Sequence, residues 1–283
     1  MSQSVTHYEN FPVASLLCPA HLRPAIAAIY DFARTADDLA DEGSADALQR
    51  LNDLQAYRAD LLTTASAQAG SGRWPQVFGP LQSILQTHHL PVRLLTDLLD
   101  AFEQDVRYTA AQRRYTHDGE LLDYCTRSAN PIGRLLLHLY GVQDEASLAH
   151  SDHICSALQL INFWQDVRVD AARGRWYITQ QSMTRLGLTE ADFLPASQSK
   201  NASLLIASYS RIARAMMLKG SALPFNIPGR AGWELRLVVQ GGLRILDKIE
   251  AMGYATWQKR PKLTAWDVPV LLWRALWMKP GSR

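Results

Sequence analysis

An all-α fold in a single domain spanning residues 1–283 is predicted by three observations. Apolar residues recur at helical spacing through most of the chain, runs of alternating β-branched residues are scarce, and helix start and stop residues punctuate the periodic segments. With 283 residues, 47% of them hydrophobic, the chain has enough apolar surface to bury a substantial core. No internal repeat at solenoid periods is visible.

Taken in order, the pattern predicts helices over 21–42, 45–67, 75–87 and 91–107. Pro24, Pro75 and Pro91 suit a first helical turn, where the missing N–H has no intrahelical partner to lose. Gly43 suits the stop of the first helix, because glycine accepts the left-handed conformation that ends many helices. Residues 64–74, rich in Ala, Ser, Gln and Gly, form the one low-complexity stretch and read as a mobile surface loop. Further helices are expected over 118–127, 130–140 (stopped by Gly141), 145–170, 189–193, 197–218, 230–252 and 264–277.

Composition excludes several classes of function. The chain carries 29 basic and 27 acidic residues and no basic arm, so a nucleic-acid partner is not expected. The three cysteines, Cys18, Cys125 and Cys155, have no CxxC spacing, which argues against a disulfide framework and a structural zinc site and suits a reducing cytoplasm. The first ten residues lack the basic and apolar regions of a signal peptide, and no apolar window is long enough for a spanning helix.

Two aspartate clusters carry the chemistry. Asp37, Asp38 and Asp41 lie in one predicted helix and Asp166 and Asp170 in another, each cluster repeating a carboxylate at i and i+4. On a helix that spacing puts like charges on one face, at a cost of roughly 0.2–0.5 kcal/mol per pair. A cation between two such helices would relieve the repulsion. Magnesium takes carboxylate oxygens, keeps some of its waters and bridges to phosphates, so the pattern suggests a magnesium-diphosphate site.

The surroundings refine this reading. Arg34 precedes Asp37 by three residues and Asp41 by seven, so its guanidinium can share their face and grip a diphosphate oxygen; an ordinary intrahelical ion pair fits equally well. Gln159, Asn162, Asp166 and Asp170 trace one polar stripe among apolar neighbours, which should line an internal polar site. Asn162 offers a carbonyl oxygen to a hard cation and Gln159 can hydrogen-bond a substrate. Arg173 and Arg175 follow the second cluster and could neutralise a diphosphate, although a solvated turn explains Arg173 as well.

These residues resemble the squalene and phytoene synthases. The resemblance rests on Arg34-Thr-Ala-Asp37-Asp38-Leu-Ala-Asp41-Glu42, on Gln159-Leu-Ile-Asn162-Phe-Trp-Gln-Asp166-Val-Arg-Val-Asp170, and on the Arg-Gly-Arg exit at 173–175. It covers most of the chain and is specific as a combination. The N-terminal run 7–15 and the run 128–134, Ser-Ala-Asn-Pro-Ile-Gly-Arg, carry the flavour of the bacterial hydroxysqualene synthase branch. The resemblance implies a class I isoprenoid synthase, a helical bundle around a central cavity, with magnesium as cofactor and a prenyl diphosphate as substrate. For that branch it implies ionisation of presqualene diphosphate and capture by water, with partner enzymes before and after it in the pathway.

By the same resemblance, Asp37, Asp41, Asp166 and Asp170 would bridge the metal ions, with Asp38 beside them and Asn162 as a further ligand. Arg34 and Gln159 match positions that contact diphosphate or substrate, and Tyr124 matches a tyrosine near the reacting carbons; a buried tyrosine bonded to a backbone carbonyl is the competing reading. His7 and Phe11 match an N-terminal segment that closes over the substrate, and Tyr254 and Arg260 the C-terminal end of the pocket. Tyr124 or Asn130 could orient the water. The chain departs from many relatives at Gln165, where they have arginine, and at Val169, where they have a carboxylate. Loss of the arginine favours a substrate with one diphosphate over condensation of two.

Other readings stay open on sequence alone. A presqualene diphosphate or phytoene synthase condensing two prenyl diphosphates is the alternative enzyme, and a synthase-like scaffold the alternative without chemistry. A di-iron oxidase would use Glu-x-x-His pairs, which neither cluster has nearby. Near the C-terminus, Trp266, Leu271, Leu272, Trp273, Leu276 and Trp277 with Arg274 and Lys279 either touch the inner membrane face peripherally or dock as a terminal helix on the core, the more ordinary outcome.

Overall fold

A computed structural model describes residues 18–279, which form thirteen α-helices and two 3₁₀ turns with no strand among the described residues. The first four helices are α1 (Arg23–Asp41), α2 (Ala47–Ala65), α3 (Pro75–His88) and α4 (Val92–Ala110). They close around one buried apolar cluster, in which Phe32 of α1 stacks on Tyr57 of α2 at 5.1 Å. The Tyr57 hydroxyl, buried there, donates to the Phe32 carbonyl at 3.1 Å, so the apolar contact carries no polar penalty.

The short helices α5 (Asp118–Ser128) and α6 (Asn130–Leu139) lead into α7 (Glu145–Gln165) and α8 (Val167–Ala172). Then follow α9 (Gln180–Leu186), α10 (Lys200–Gly220), α11 (Leu223–Asn226), α12 (Arg230–Ala251) and α13 (Val268–Leu276). They bury a second apolar cluster, and α4 and α6 contribute side chains to both clusters. Close helix approach depends on glycines, Gly133 and Gly220 among them. A Cβ on Gly133 of α6 would come within 2.3 Å of Ser151 Oγ on α7, and one on Gly220 of α10 within 2.6 Å of the His150 carbonyl.

Most predicted helices lie where the periodicity puts them, with instructive differences. The expected helix 145–170 is two helices meeting at Asp166, whose backbone leaves helical geometry at φ −105° and ψ 13°. The Asp166 N–H still bonds the Asn162 carbonyl, and the Asp170 N–H bonds the Asp166 carbonyl, so the polar stripe is kinked rather than ended. Segment 189–193 is a 3₁₀ turn (Glu190–Phe193) instead of an α-helix, and α9 and α11, seven and four residues long, are too short for periodicity to reveal.

Pro24 and Pro75 sit in first turns as expected, whereas Pro91 is the residue before α4. Gly43 and Gly141 take φ +76° and +71° just past their helices. The low-complexity loop is tethered, since the buried Asp60 carboxylate accepts from the Ser71 N–H at 2.7 Å and hydroxyl at 2.6 Å.

Candidate active site

One carboxylate cluster lies on α1 and the other at the α7–α8 junction, and Arg173 and Arg175, in the segment that follows α8, reach from the second to Asp41 of the first. On α1, Arg34 turns to Asp37 at 3.1 Å and Asp38 at 2.6 Å, its i+3 and i+4 neighbours. Arg34 thus makes the ordinary intrahelical ion pair, the alternative to gripping a diphosphate. Asp41 lies one turn further along and takes its partner from the other half of the molecule. The Arg175 Nη1 donates to Asp41 Oδ2 at 2.8 Å, with a second Arg175 contact to Oδ1, and Arg173 stands 3.6 Å away. Arg175 is therefore the closer bridge, while Arg173 remains largely in solvent.

The second cluster is held from further along the chain. Both oxygens of Asp166 receive Arg260, through Nη2 at 2.9 Å and through Nε. Gln165, fully buried, donates from Nε2 to the Pro261 carbonyl at 2.7 Å and fixes the backbone beside Arg260. Gln165 thus braces the C-terminal segment. Along the stripe, Phe163, Trp164 and Gln165 are buried, but Asn162 is exposed and Gln159 half-buried, so the stripe opens outward at Asn162.

The electrostatics tie these residues into one field. Burial first, then the neighbouring charges of Asp166 and Asp105, push the Asp170 carboxyl from the usual 3.8 to about 8, against the pull of Arg173 and Arg260. Asp37 is raised as well, by burial above all, with Arg34 and Arg175 opposing and Asp38 adding. Between them lies Asp105 of α4, raised to about 7 by burial despite a hydrogen bond from Tyr124 and the field of Arg127; Asp37 raises it further. Three carboxyls that resist ionisation in one place form a site short of positive charge.

Asp105 was invisible in the sequence. It stands in Glu103-Gln104-Asp105, an ordinary polar stretch with no spaced partner, and only tertiary structure brings it to Tyr124. The Tyr124 hydroxyl donates to that carboxylate instead of a backbone carbonyl, and the ring joins an aromatic wall with Tyr115, Phe163 and Tyr177. Phe163 and Tyr177 stack at 3.7 Å. A small pocket of about 10 Å³ places Asp170 and Arg175 against this wall beside Trp176.

Other expected residues stand elsewhere. Asn130 is buried between α6 and α7, accepting from the Ser156 hydroxyl at 2.9 Å. Tyr254 packs on the second apolar cluster in the left-handed turn that ends α12, at φ +64°. His7 and Phe11 lie outside the described residues.

The donor set fits a hard cation together with an anion. Among the described residues no three carboxylate, imidazole or thiol groups converge enough to hold an ion alone. The aspartates carry arginines instead, and magnesium, which keeps waters and shares substrate phosphates, needs only one or two carboxylates from each side. On the anion side, the Arg175 Nε is buried without a hydrogen-bond partner, a donor suited to a phosphate oxygen.

Two carboxylate clusters backed by arginines, in an all-α bundle with an aromatic wall, define a class I isoprenoid synthase. The profile of the squalene/phytoene synthase family matches residues 5–267, and the chain belongs to that family. It is similar to a hydroxysqualene synthase of Sinorhizobium fredii, 31% identical over 252 residues, which covers 89% of this chain and 81% of the relative. A 15-cis-phytoene synthase of Pantoea ananas is 26% identical over 268 residues, covering 93% and 85%. Among solved structures, the squalene synthase HpnC of Alicyclobacillus acidocaldarius superposes with a TM-score of 0.78 at 34% identity, covering 88% of this chain and 90% of that one. The chain is thus an enzyme of isoprenoid biosynthesis, in a family whose fold class uses divalent metal ions.

Proposed function

We propose that the chain is a hydroxysqualene synthase, converting presqualene diphosphate and water into hydroxysqualene and diphosphate. The carrying observation is the bridge from Arg175 to Asp41, which ties the exit of the second cluster to the first. The higher identity to a hydroxysqualene synthase than to a phytoene synthase supports the finer reading. Gln165 supports it too: arginine at that position would add a cation for a second diphosphate, whereas glutamine spends its amide on Pro261.

Magnesium held by Asp37, Asp41, Asp166 and Asp170, with Asp38 and Asn162 beside them, would supply Lewis-acid assistance to the departing diphosphate. The chain's own residues do the rest. Arg34, Arg173, Arg175 and Arg260 would donate to the diphosphate oxygens and stabilise the charge that grows as the C–O bond breaks. Tyr115, Tyr124, Phe163 and Tyr177 present π faces to the cationic hydrocarbon and keep bulk water out. One water then forms the new C–O bond and gives up a proton; Tyr124, whose hydroxyl is bonded to Asp105, is the residue we assign to orient that water. Gln159 and Tyr254 remain proposed substrate contacts, with His7 and Phe11 on the N-terminal segment.

The enzyme would work in the cytoplasm against the inner membrane face, between an enzyme that makes presqualene diphosphate and one that reduces the alcohol. Incubation with presqualene diphosphate and magnesium, without a nicotinamide cofactor, should give hydroxysqualene whose oxygen comes from labelled water, read by mass spectrometry. Farnesyl diphosphate alone should give little C30 product. Efficient turnover of farnesyl or geranylgeranyl diphosphate would replace this reading with that of a condensing synthase.

A further inference from the structure

The C-terminal helix α13 has its polarity reversed. On its inner side Arg274 pairs with Asp247 of α12 at 2.6 Å, and Asp267, just before its first turn, takes Arg244 at 2.8 Å and Lys248 at 2.5 Å. Ala275 is buried on that side. The outer arc carries Val268, Leu272, Trp273, Leu276 and Trp277, and Trp266 stands beside it.

These six are exposed, Trp266 by 89%, Trp273 by 64% and Trp277 by 67%, and they crowd into twelve residues of the chain. Trp273 and Trp277 sit one turn apart with ring centroids at 5.7 Å, so the exposed apolar surface is continuous. A helix that turns its ion pairs toward α12 and shows water its tryptophans is built for an apolar partner. The docking alternative in the sequence reading therefore holds only for the inner side of α13.

The charge around the patch selects the partner. Residues 259–279 hold five cations against the single anion Asp267; Arg260 and Arg274 are paired with Asp166 and Asp247, and the other three are Lys259, Lys262 and Lys279. Lys259, Lys262 and Lys279 are exposed. Tryptophans on a short helix with lysines at its borders suit the interface of an anionic bilayer, where indole rings lie at headgroup depth and lysines meet lipid phosphates. No described helix is long and apolar enough to cross a membrane, so the helix would lie in the interface plane.

We propose that α13 and the turn before it form a peripheral docking surface for an anionic phospholipid bilayer, with Trp266, Trp273 and Trp277 inserted and Lys259, Lys262 and Lys279 on the headgroups. This inference goes beyond the catalytic reading and does not depend on the product. Its function would be to let an enzyme of water-insoluble chains exchange them with the membrane directly.

Flotation of the full chain tests it, with vesicles of phosphatidylcholine alone and of phosphatidylcholine with phosphatidylglycerol. The protein should float with the anionic vesicles and much less with the neutral ones. Trp273→Ser with Trp277→Ser should weaken binding on the order of tenfold or more. Lys259→Glu with Lys279→Glu, which alters exposed side chains only, should weaken it by about fivefold per cation removed. Circular dichroism and melting curves establish that both variants fold.

Three results would overturn the proposal: wild type that stays in the aqueous fraction with anionic vesicles, variants that float as well as wild type, or a dimer in sedimentation equilibrium that the tryptophan changes split into monomers while flotation is absent. Activity is not the readout, so failure here is separate from failure of the proposed reaction.

Discussion

The two aspartate clusters have similar spacing and different physics. The first sits on an unbroken helix, and Asp37 and Asp38 find their arginine three and four residues back, in a pair whose side chains are partly open to water. The second sits where a helix breaks; its Asp166 is held by an arginine ninety-four residues away, and its Asp170 is buried enough to be pushed to about 8. Local pairing serves Asp37 and Asp38, while Asp41 takes Arg175 from beyond α8. The second cluster is held through Asp166 and Gln165 by Arg260 and Pro261, so that half couples the site to the C-terminal segment.

The largest effects should come from removing a carboxylate from either half. Asp37→Ala and Asp166→Ala should each lower diphosphate release by at least about a thousandfold, comparable to loss of a principal transition-state charge contact. Circular dichroism should show the fold retained. Equal losses would show that the halves act as one site, and retained turnover in either would break the comparison at its root.

Next in size is the effect of pH without metal. A carboxyl raised in the folded state is protonated there while its unfolded counterpart is ionised, so its effect destabilises the fold as pH rises from about 4 and levels off above the folded value, about 8 for Asp170 and about 7 for Asp105. Metal-free protein should therefore lose stability between pH 4 and 8, by on the order of a few kcal/mol. Asp170→Asn should flatten that slope and raise the melting temperature at pH 8.

Smaller again is the contrast between the arginines. Arg260→Ala strips Asp166 of a bidentate partner in a half-buried place and should cost about 1.5–3 kcal/mol in metal-free denaturant melts. Arg34→Ala breaks a more exposed pair and should cost at most about 1 kcal/mol. The reverse order would show that the first half carries more tertiary coupling than its geometry suggests. Smallest is Gln165→Leu, expected to cost about 1 kcal/mol through the lost bond to Pro261 and to raise KM by loosening Arg260, with kcat little changed.

The aspartates, Arg34 and the polar stripe were legible because they repeat on helical spacing, and periodicity is what a sequence displays. The all-α class was legible for the same reason. Asp105 and the pairing of Arg175 with Asp41 were not, since each depends on which helices become neighbours. The kink at Asp166 was hidden because its helical pattern continues across the break. The outward tryptophans of α13 were ambiguous, because composition does not say which side of an amphipathic segment meets the core; the ion pairs of Arg274 and Asp267 decide that.

The central claim is that two physically different halves make one site, and calorimetric binding of inorganic diphosphate with magnesium tests it most directly. Wild type, Asp41→Asn, Asp170→Asn and the double variant form a cycle in which independent sites would show additive losses and a shared site strongly non-additive ones. The account predicts that either single change removes most magnesium-dependent diphosphate binding and that the second change adds little. Additive losses, with each single variant retaining its own magnesium-dependent binding, would contradict it.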